Sequence, residues 1–302
     1  RFTPGHTWTP LVISFPHVGL SWPHDLRPKP QADFARNADY EVQTLYHGVQ
    51  SLGVATVQAL YSRLVVDLNR ADDDVPHQLV PDHPAPRPRR RPGSVGGAPP
   101  QAWDRPGRGV VWASAVASGA GAVRILDPPL PYATFARRIA RYHTPYYRAL
   151  ETLLQRRRER FGYAVLLDAH SMPGSVGIDL VLGTLDTESC GDAVAKAVYD
   201  ALCGTEANRV LLSVRRDDPY RGGELVRTFG RPAGGIYALQ LEVSRRLYMD
   251  EQVYRVYRWP GDIPALAGST TPTSDDMGTH HRGTPVSPPS RRRGRELAEL
   301  VA

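Results

Sequence analysis

The chain has 302 residues, a formal net charge of +6 and 41% hydrophobic residues, enough apolar material for one large α/β domain or two small ones with a real core. No stretch approaches the roughly 20 apolar residues that span a bilayer, and the first ten residues have neither the basic nor the apolar region of a signal peptide, so a cytoplasmic protein with no membrane partner is expected. Cys190 and Cys203 have no CxxC or Cys/His spacing, which argues against a disulfide scaffold or a thiolate zinc site.

In chain order, Leu11–Phe15 (LVISF) is an apolar run ending in Pro16-His17, the pattern of a buried strand that delivers His17 at its carboxyl end. Residues 34–52 place apolar side chains mostly at helical spacing, with Gly53 as the C-cap. Residues 54–60 and 64–68 are rich in β-branched residues and predict two strands, the second leading into Asn69-Arg70. Residues 76–106 are dominated by Pro, Arg and Gly and predict an exposed insertion loop within a domain covering 1–251.

Helical character returns over 132–160, where Pro145 predicts a break and Arg156-Arg157-Arg158 a solvated helix end. Residues 163–167 (YAVLL) are fully apolar, as in a central strand covered on both faces, and lead into Asp168-Ala169-His170-Ser171-Met172-Pro173. Strands are expected at 178–182, 210–214 and 238–243, with a helix over 192–202. Residues 252–302 predict a loosely ordered tail. The alternation of elements predicts an α/β fold: a mainly parallel or mixed central sheet with helices on both faces and a site beyond the carboxyl ends of its strands.

The positive charge has a narrow origin. Residues 76–108 carry six arginines against Asp82 and Asp104, and 252–302 carry seven against five acids, which accounts for the whole surplus. A binding protein using the arginines at 87–91 and 291–293 on nucleic acid is therefore a distant alternative, and no nucleic-acid partner is expected.

His17 and His170 stand at the ends of two predicted strands and can converge on one sheet edge, where imidazoles commonly hold zinc; two unrelated polar strand ends would look the same. Asp168 faces the same side as His170 and can orient its ring. Asn69-Arg70 can clamp a carboxylate or simply form a surface turn. Asp218-Pro219-Tyr220-Arg221-Gly222-Gly223 is a turn that offers Arg221 as a second anion group. Glu242 interrupts an apolar strand; a buried acid there is either functional, as a proton carrier beside a metal, or salt-bridged.

Five motifs in order, SFPHVG (14–19), VDLNR (66–70), LLDAHSMP (166–173), DPYRGG (218–223) and ALQLE leading into RRLYMDE (238–251), resemble the N-formylglutamate amidohydrolase family over about residues 10–251. That resemblance implies a carboxypeptidase-like (phosphorylase/hydrolase-like) fold, a divalent metal, usually zinc, and hydrolysis of N-formylglutamate in histidine breakdown. Its partner would be a small N-acyl amino acid. It makes His17 and His170 metal ligands, Glu242 the general base and acid, and Asn69 with Arg70 the substrate clamp. The VDLNR run is also similar to aspartoacylases, so deacylation of another N-acyl amino acid is the alternative. Aspartoacylases and carboxypeptidases place a glutamate three residues after the first histidine, where this chain has Leu20; the family's Asp-Thr-Asp-Trp region corresponds to 37–40 and nominates Asp39 as the third ligand. Asp217 adds an acid before the Asp218-Pro219 pair, an expected handicap for an anionic substrate.

Overall fold

A computed structural model describes residues 8–86 and 108–257, apart from 118, 120, 127–128 and 208–209, together with the backbone of 2–3. The arginine runs at 87–91 and 291–293, most of the insertion and the tail beyond 257 lie outside the described residues. The strands are β1 (Phe2–Thr3), β2 (Leu11–Phe15), β3 (Ala55–Gln58), β4 (Ser114–Val116), β5 (Ala122–Arg124), β6 (Ala164–Met172), β7 (Leu180–Gly183), β8 (Glu206–Ala207), β9 (Val210–Leu211), β10 (Val214–Arg216), β11 (Ile236–Ser244), β12 (Met249–Asp250) and β13 (Arg255–Val256). The α-helices are α1 (Tyr132–Arg138), α2 (Thr144–Phe161), α3 (Asp192–Cys203) and α4 (Glu224–Phe229).

Seven strands form the central sheet in the order β1-β3-β2-β6-β11-β7-β10. Its middle, β3-β2-β6-β11, is parallel; β7 runs against β11, β10 follows β7, and β1 opposes β3. All five residues of β2 are buried because both sheet faces are covered, which is why its sequence is a continuous apolar run. Successive side chains alternate between two cores. Val12, Leu166 and Ala238 pack with α1, α2 and α4, while Leu11, Ile13, Phe15, Leu167, Leu239 and Leu241 pack with α3 and the segment at 42–49.

Helix α2 buries Tyr146, Leu150, Leu153, Leu154 and Arg157, one stripe at helical spacing. Pro145 does not break it: a π-helical turn, Ile139–His143, joins α1 to α2, and the proline sits in the first turn, where its missing N–H is harmless. Arg157 is not solvated. It is buried, donating to the carbonyls of Leu11 and Leu153.

Several other segments depart from what their sequence pattern predicts. Residues 34–52 form turns and two short 3-10 helices, Val42–Tyr46 and Val49–Leu52, because the Asn37 side chain takes the carbonyls of Asp33 and Val116 and Gly48 turns left-handed at φ 92°. Gly53 does cap the second of them. Residues 64–68 are buried but pair with no strand; Val65 N–H is taken locally by Ser62 O, and Asp67 N–H by Val110 O from a distant loop. The start of the insertion is not exposed, since Leu79 and Val80 join the core. Residues 210–214 divide between a two-stranded hairpin, β8-β9, and the sheet-edge strand β10. At the other end, β13 pairs with β12, so residues 255–256 are ordered.

Leu150 is fully buried against the sheet. Leu150→Ala is expected to cost about 2–5 kcal/mol, seen as a lower urea midpoint with an unchanged m-value.

Candidate active site

The parallel strands bring their carboxyl ends to one edge, and His17, Asp39 and His170 meet there. All three are buried, and one ligand atom from each lies within 4.8 Å of the others, a grouping able to hold a metal ion. His170 lies inside β6, not beyond it, because that strand continues through Met172; His17 follows β2 by two residues. The rings are 4.8 Å apart between centroids.

Each ring is held from behind. His17 Nε2 lies 2.7 Å from Asp67 Oδ1, and His170 Nε2 lies 2.7 Å from Asp168 Oδ2. If these nitrogens carry the protons, both Nδ1 lone pairs face Asp39, whose Oδ2 is 3.4 Å from His17 Nδ1 and 2.8 Å from His170 Nδ1. The buried Nδ1 of His17 has no hydrogen-bond partner, the state of a nitrogen a cation would satisfy. The donor set, two imidazoles and a carboxylate, therefore fits a divalent metal.

The supporting carboxylates are themselves anchored. Arg63 donates to Asp67 Oδ2 through Nε at 3.1 Å and Nη2 at 2.6 Å. Ser14 Oγ donates to Asp168 Oδ1 at 2.9 Å. Asp39 is fixed by its own N–H to His17 O and by Arg245, which donates to Ala38 O and Ser171 Oγ and lies 3.7 Å from Asp39 Oδ1.

Charge follows from this packing. Burial alone would raise Asp39 and Asp67, but both sit far below the usual carboxylate range: the adjoining His17 and His170 rings hold Asp39 down, and Arg63 with His17 holds Asp67 down. Burial by itself lowers His170, and the Asp168 carboxylate reverses this, leaving it well above the usual histidine value. Glu242 lies opposite His170 in the β6-β11 ladder and is buried; Gln240 donates to its Oε1 at 2.9 Å. Desolvation pushes Glu242 up to about 7, with Asp39 and Asp168 adding to the rise and His170 and His17 opposing it.

The remaining candidates are engaged with other groups of the protein, and of them Asn69 touches the centre. Asn69 Nδ2 lies 3.1 Å from His170 Nε2 and 3.3 Å from Gln240 Oε1, and its Oδ1 accepts from Leu225 N–H. Gly223 allows this: a Cβ there would stand 2.2 Å from Asn69 Nδ2. Arg70 pairs with Asp74 at 3.3 Å. Arg221 pairs with Asp186, which sits in a run of three left-handed residues, Leu185, Asp186 and Thr187. Leu20, at the position of the aspartoacylase glutamate, is exposed. Asp217 and Asp218 are also occupied, the first by Thr184 and the second by Arg215.

Residues 9–249 match the family model described as N-formylglutamate amidohydrolase. The chain belongs to the N-formylglutamate amidohydrolase family. It is thereby an amidohydrolase. Among its relatives, the N-formylglutamate deformylase of Pseudomonas aeruginosa is 31% identical over 258 residues, covering 82% of this chain and 85% of the relative. That of Pseudomonas putida is 30% identical over the same length and shares of each chain. The crystal structure of N-formylglutamate amidohydrolase from Ralstonia eutropha JMP134 superposes with a TM-score of 0.66 at 28% identity, covering 85% of this chain and 90% of that one.

Three residues of the candidate site carry no local signal in the sequence. Asp67 stood inside the VDLNR motif, but its pairing with His17 spans 50 positions. Gln240 and Arg245 flank Glu242 in the last motif, and only the β11 register and the turn after it reveal what they touch.

Glu242 gives the site a pH signature in the metal-free protein. Its folded value, about 7, exceeds the ordinary 4.5, so between these values the folded chain holds a proton that the unfolded chain has released. Its contribution to stability is complete below about 4.5 and is lost as pH rises through about 7. Glu242→Gln should therefore gain in Tm over the wild type from pH 5 to pH 8 when both are metal-free; a Tm difference independent of pH would count against a proton on this carboxyl.

Proposed function

We propose that this chain hydrolyses N-formyl-L-glutamate to L-glutamate and formate, in the breakdown of histidine. The observation that carries the reading is the convergence of His17, Asp39 and His170, with Glu242 beside His170 on the neighbouring strand. Membership of the family and the names of its relatives support the substrate.

His17, Asp39 and His170 would hold a divalent cation, zinc by the character of the donor set. When bound, it supplies Lewis acidity that polarises the scissile carbonyl and makes water more acidic. Glu242 takes the proton from the attacking water and returns it to the departing nitrogen. A carboxyl titrating near neutrality suits both transfers, and Gln240 holds one of its oxygens in place. Asp67 and Asp168 keep the two rings oriented.

Arg70 and Arg221 already hold carboxylates of the protein, Asp74 and Asp186. In the proposed complex they exchange these for the carboxylates of the substrate, with the Asn69 amide orienting one of them. Such an exchange places selectivity in the two arginines and their acidic partners.

Glu242→Gln, folded and with an unchanged metal content, should lose about 10²–10⁴-fold in kcat on N-formylglutamate. Wild-type turnover in that variant would exclude the role. Chelation should abolish activity and added zinc restore it. Comparing N-formyl- and N-acetyl-glutamate and -aspartate side by side separates the deformylase reading, which requires N-formylglutamate to have the highest kcat/KM, from deacylation of another N-acyl amino acid.

A further inference from the structure

A cleft of about 270 Å³ opens between the 3-10 turn His24–Leu26 and helix α1 with the π turn after it. Three guanidiniums, Arg137, Arg138 and Arg141, line it against one carboxylate, Asp25. Asp25 is already engaged: Arg141 lies 3.0 Å from its Oδ2, and the Tyr142 hydroxyl donates to its Oδ1 at 2.5 Å. Arg137 and Arg141 are four residues apart on one helical face, where like charges repel.

Arg138 is the unusual member. It is 7% exposed, its Nη1 donates to Val65 O at 3.3 Å, and its Nε is buried without a partner. Among the described residues it forms no ion pair. Burial pulls its pKa below the usual guanidinium value, with Tyr142 and Asp25 opposing the shift. A desolvated cation with no ion-pair partner in contact is costly and is kept where something compensates it. The arginine fork matches the oxygens of a carboxylate or phosphate, and the cleft is at the small end of ligand sites.

We propose that this cleft is a binding site for a small oxoanion, held by Arg138 at its base and Arg137 at its rim, with Arg141 kept in place by Asp25. The chemistry required is a compact anionic head with two or more free oxygens, as in a phosphate group or a carboxylate. The site is distinct from the centre around His17 and His170, although Arg138 holds the carbonyl of Val65, two residues before Asp67.

The test uses the full chain in a low-anion buffer, with inorganic phosphate and acetate as separate probes in calorimetry and thermal melting. The wild type should bind one phosphate per chain. Arg138→Met should weaken that binding by about tenfold or more, and Arg137→Gln, a change at an exposed side chain, by a smaller factor. Without phosphate, Arg138→Met should melt at or above the wild-type temperature, since a buried unpaired charge has been removed; phosphate should raise the Tm of the wild type more than that of Arg138→Met. Stronger binding of phosphate than acetate identifies a phosphoryl group as the natural head, and equal binding a carboxylate. The proposal is overturned if the wild type binds neither probe at millimolar concentration. It is also overturned if both variants bind phosphate like the wild type, or if Arg138→Met loses the same Tm with and without phosphate, the mark of a purely structural arginine. Should Arg138→Met fail to fold, unchanged phosphate affinity in Arg137→Gln is sufficient to reject the site.

Discussion

Two imidazoles are each pinned through Nε2 by a buried aspartate, which turns both Nδ1 atoms toward a third acid. The groups packed around them hold those aspartates in place. Arg63 neutralises Asp67, Ser14 supplies a donor to Asp168, and Arg245 fastens the turn that presents Asp39. A buried carboxylate without such partners would take up a proton and release the ring it orients.

The sheet explains how residues so distant in sequence reach one point. β2 and β6 are parallel neighbours, so His17 and His170 emerge on the same edge; β11 then pairs with β6 and sets Glu242 opposite His170. Insertion of β11 between β6 and the reversed strand β7 buries the acid in the middle of the sheet. That burial is what raises Glu242 toward neutrality, so topology and proton affinity have a common origin.

The elements legible in the sequence were those whose environment is uniform. LVISF and YAVLL read as covered strands because both of their faces are apolar, and DAHSMP and ALQLE marked His170 and Glu242 because acids and imidazoles are costly in such surroundings. Where local and distant forces disagree, the reading failed. Residues 34–52 have a helical pattern, but the Asn37 side chain and the left-handed Gly48 impose turns. Residues 64–68 look like a strand because they are buried, yet burial does not require a ladder when local and loop bonds satisfy the backbone. Arg157 reads as solvated because a triple-arginine run does not say which member faces inward. Arg245 and Asp67 act through partners 207 and 50 residues away, a distance no local pattern spans.

The pairing of Glu242 with His170 across two adjacent strands also bears on how the protein ages under heat. Their spacing is that of the hydrogen-bonded ladder, about 4.8 Å between chains, and depends on no lid or hinge. Arg70 and Arg221 instead sit on connecting turns, where local fluctuation comes first. Warming should thus loosen the Arg70–Asp74 and Arg221–Asp186 pairs while the central pair stays in register, and that pair itself separates only when the sheet comes apart.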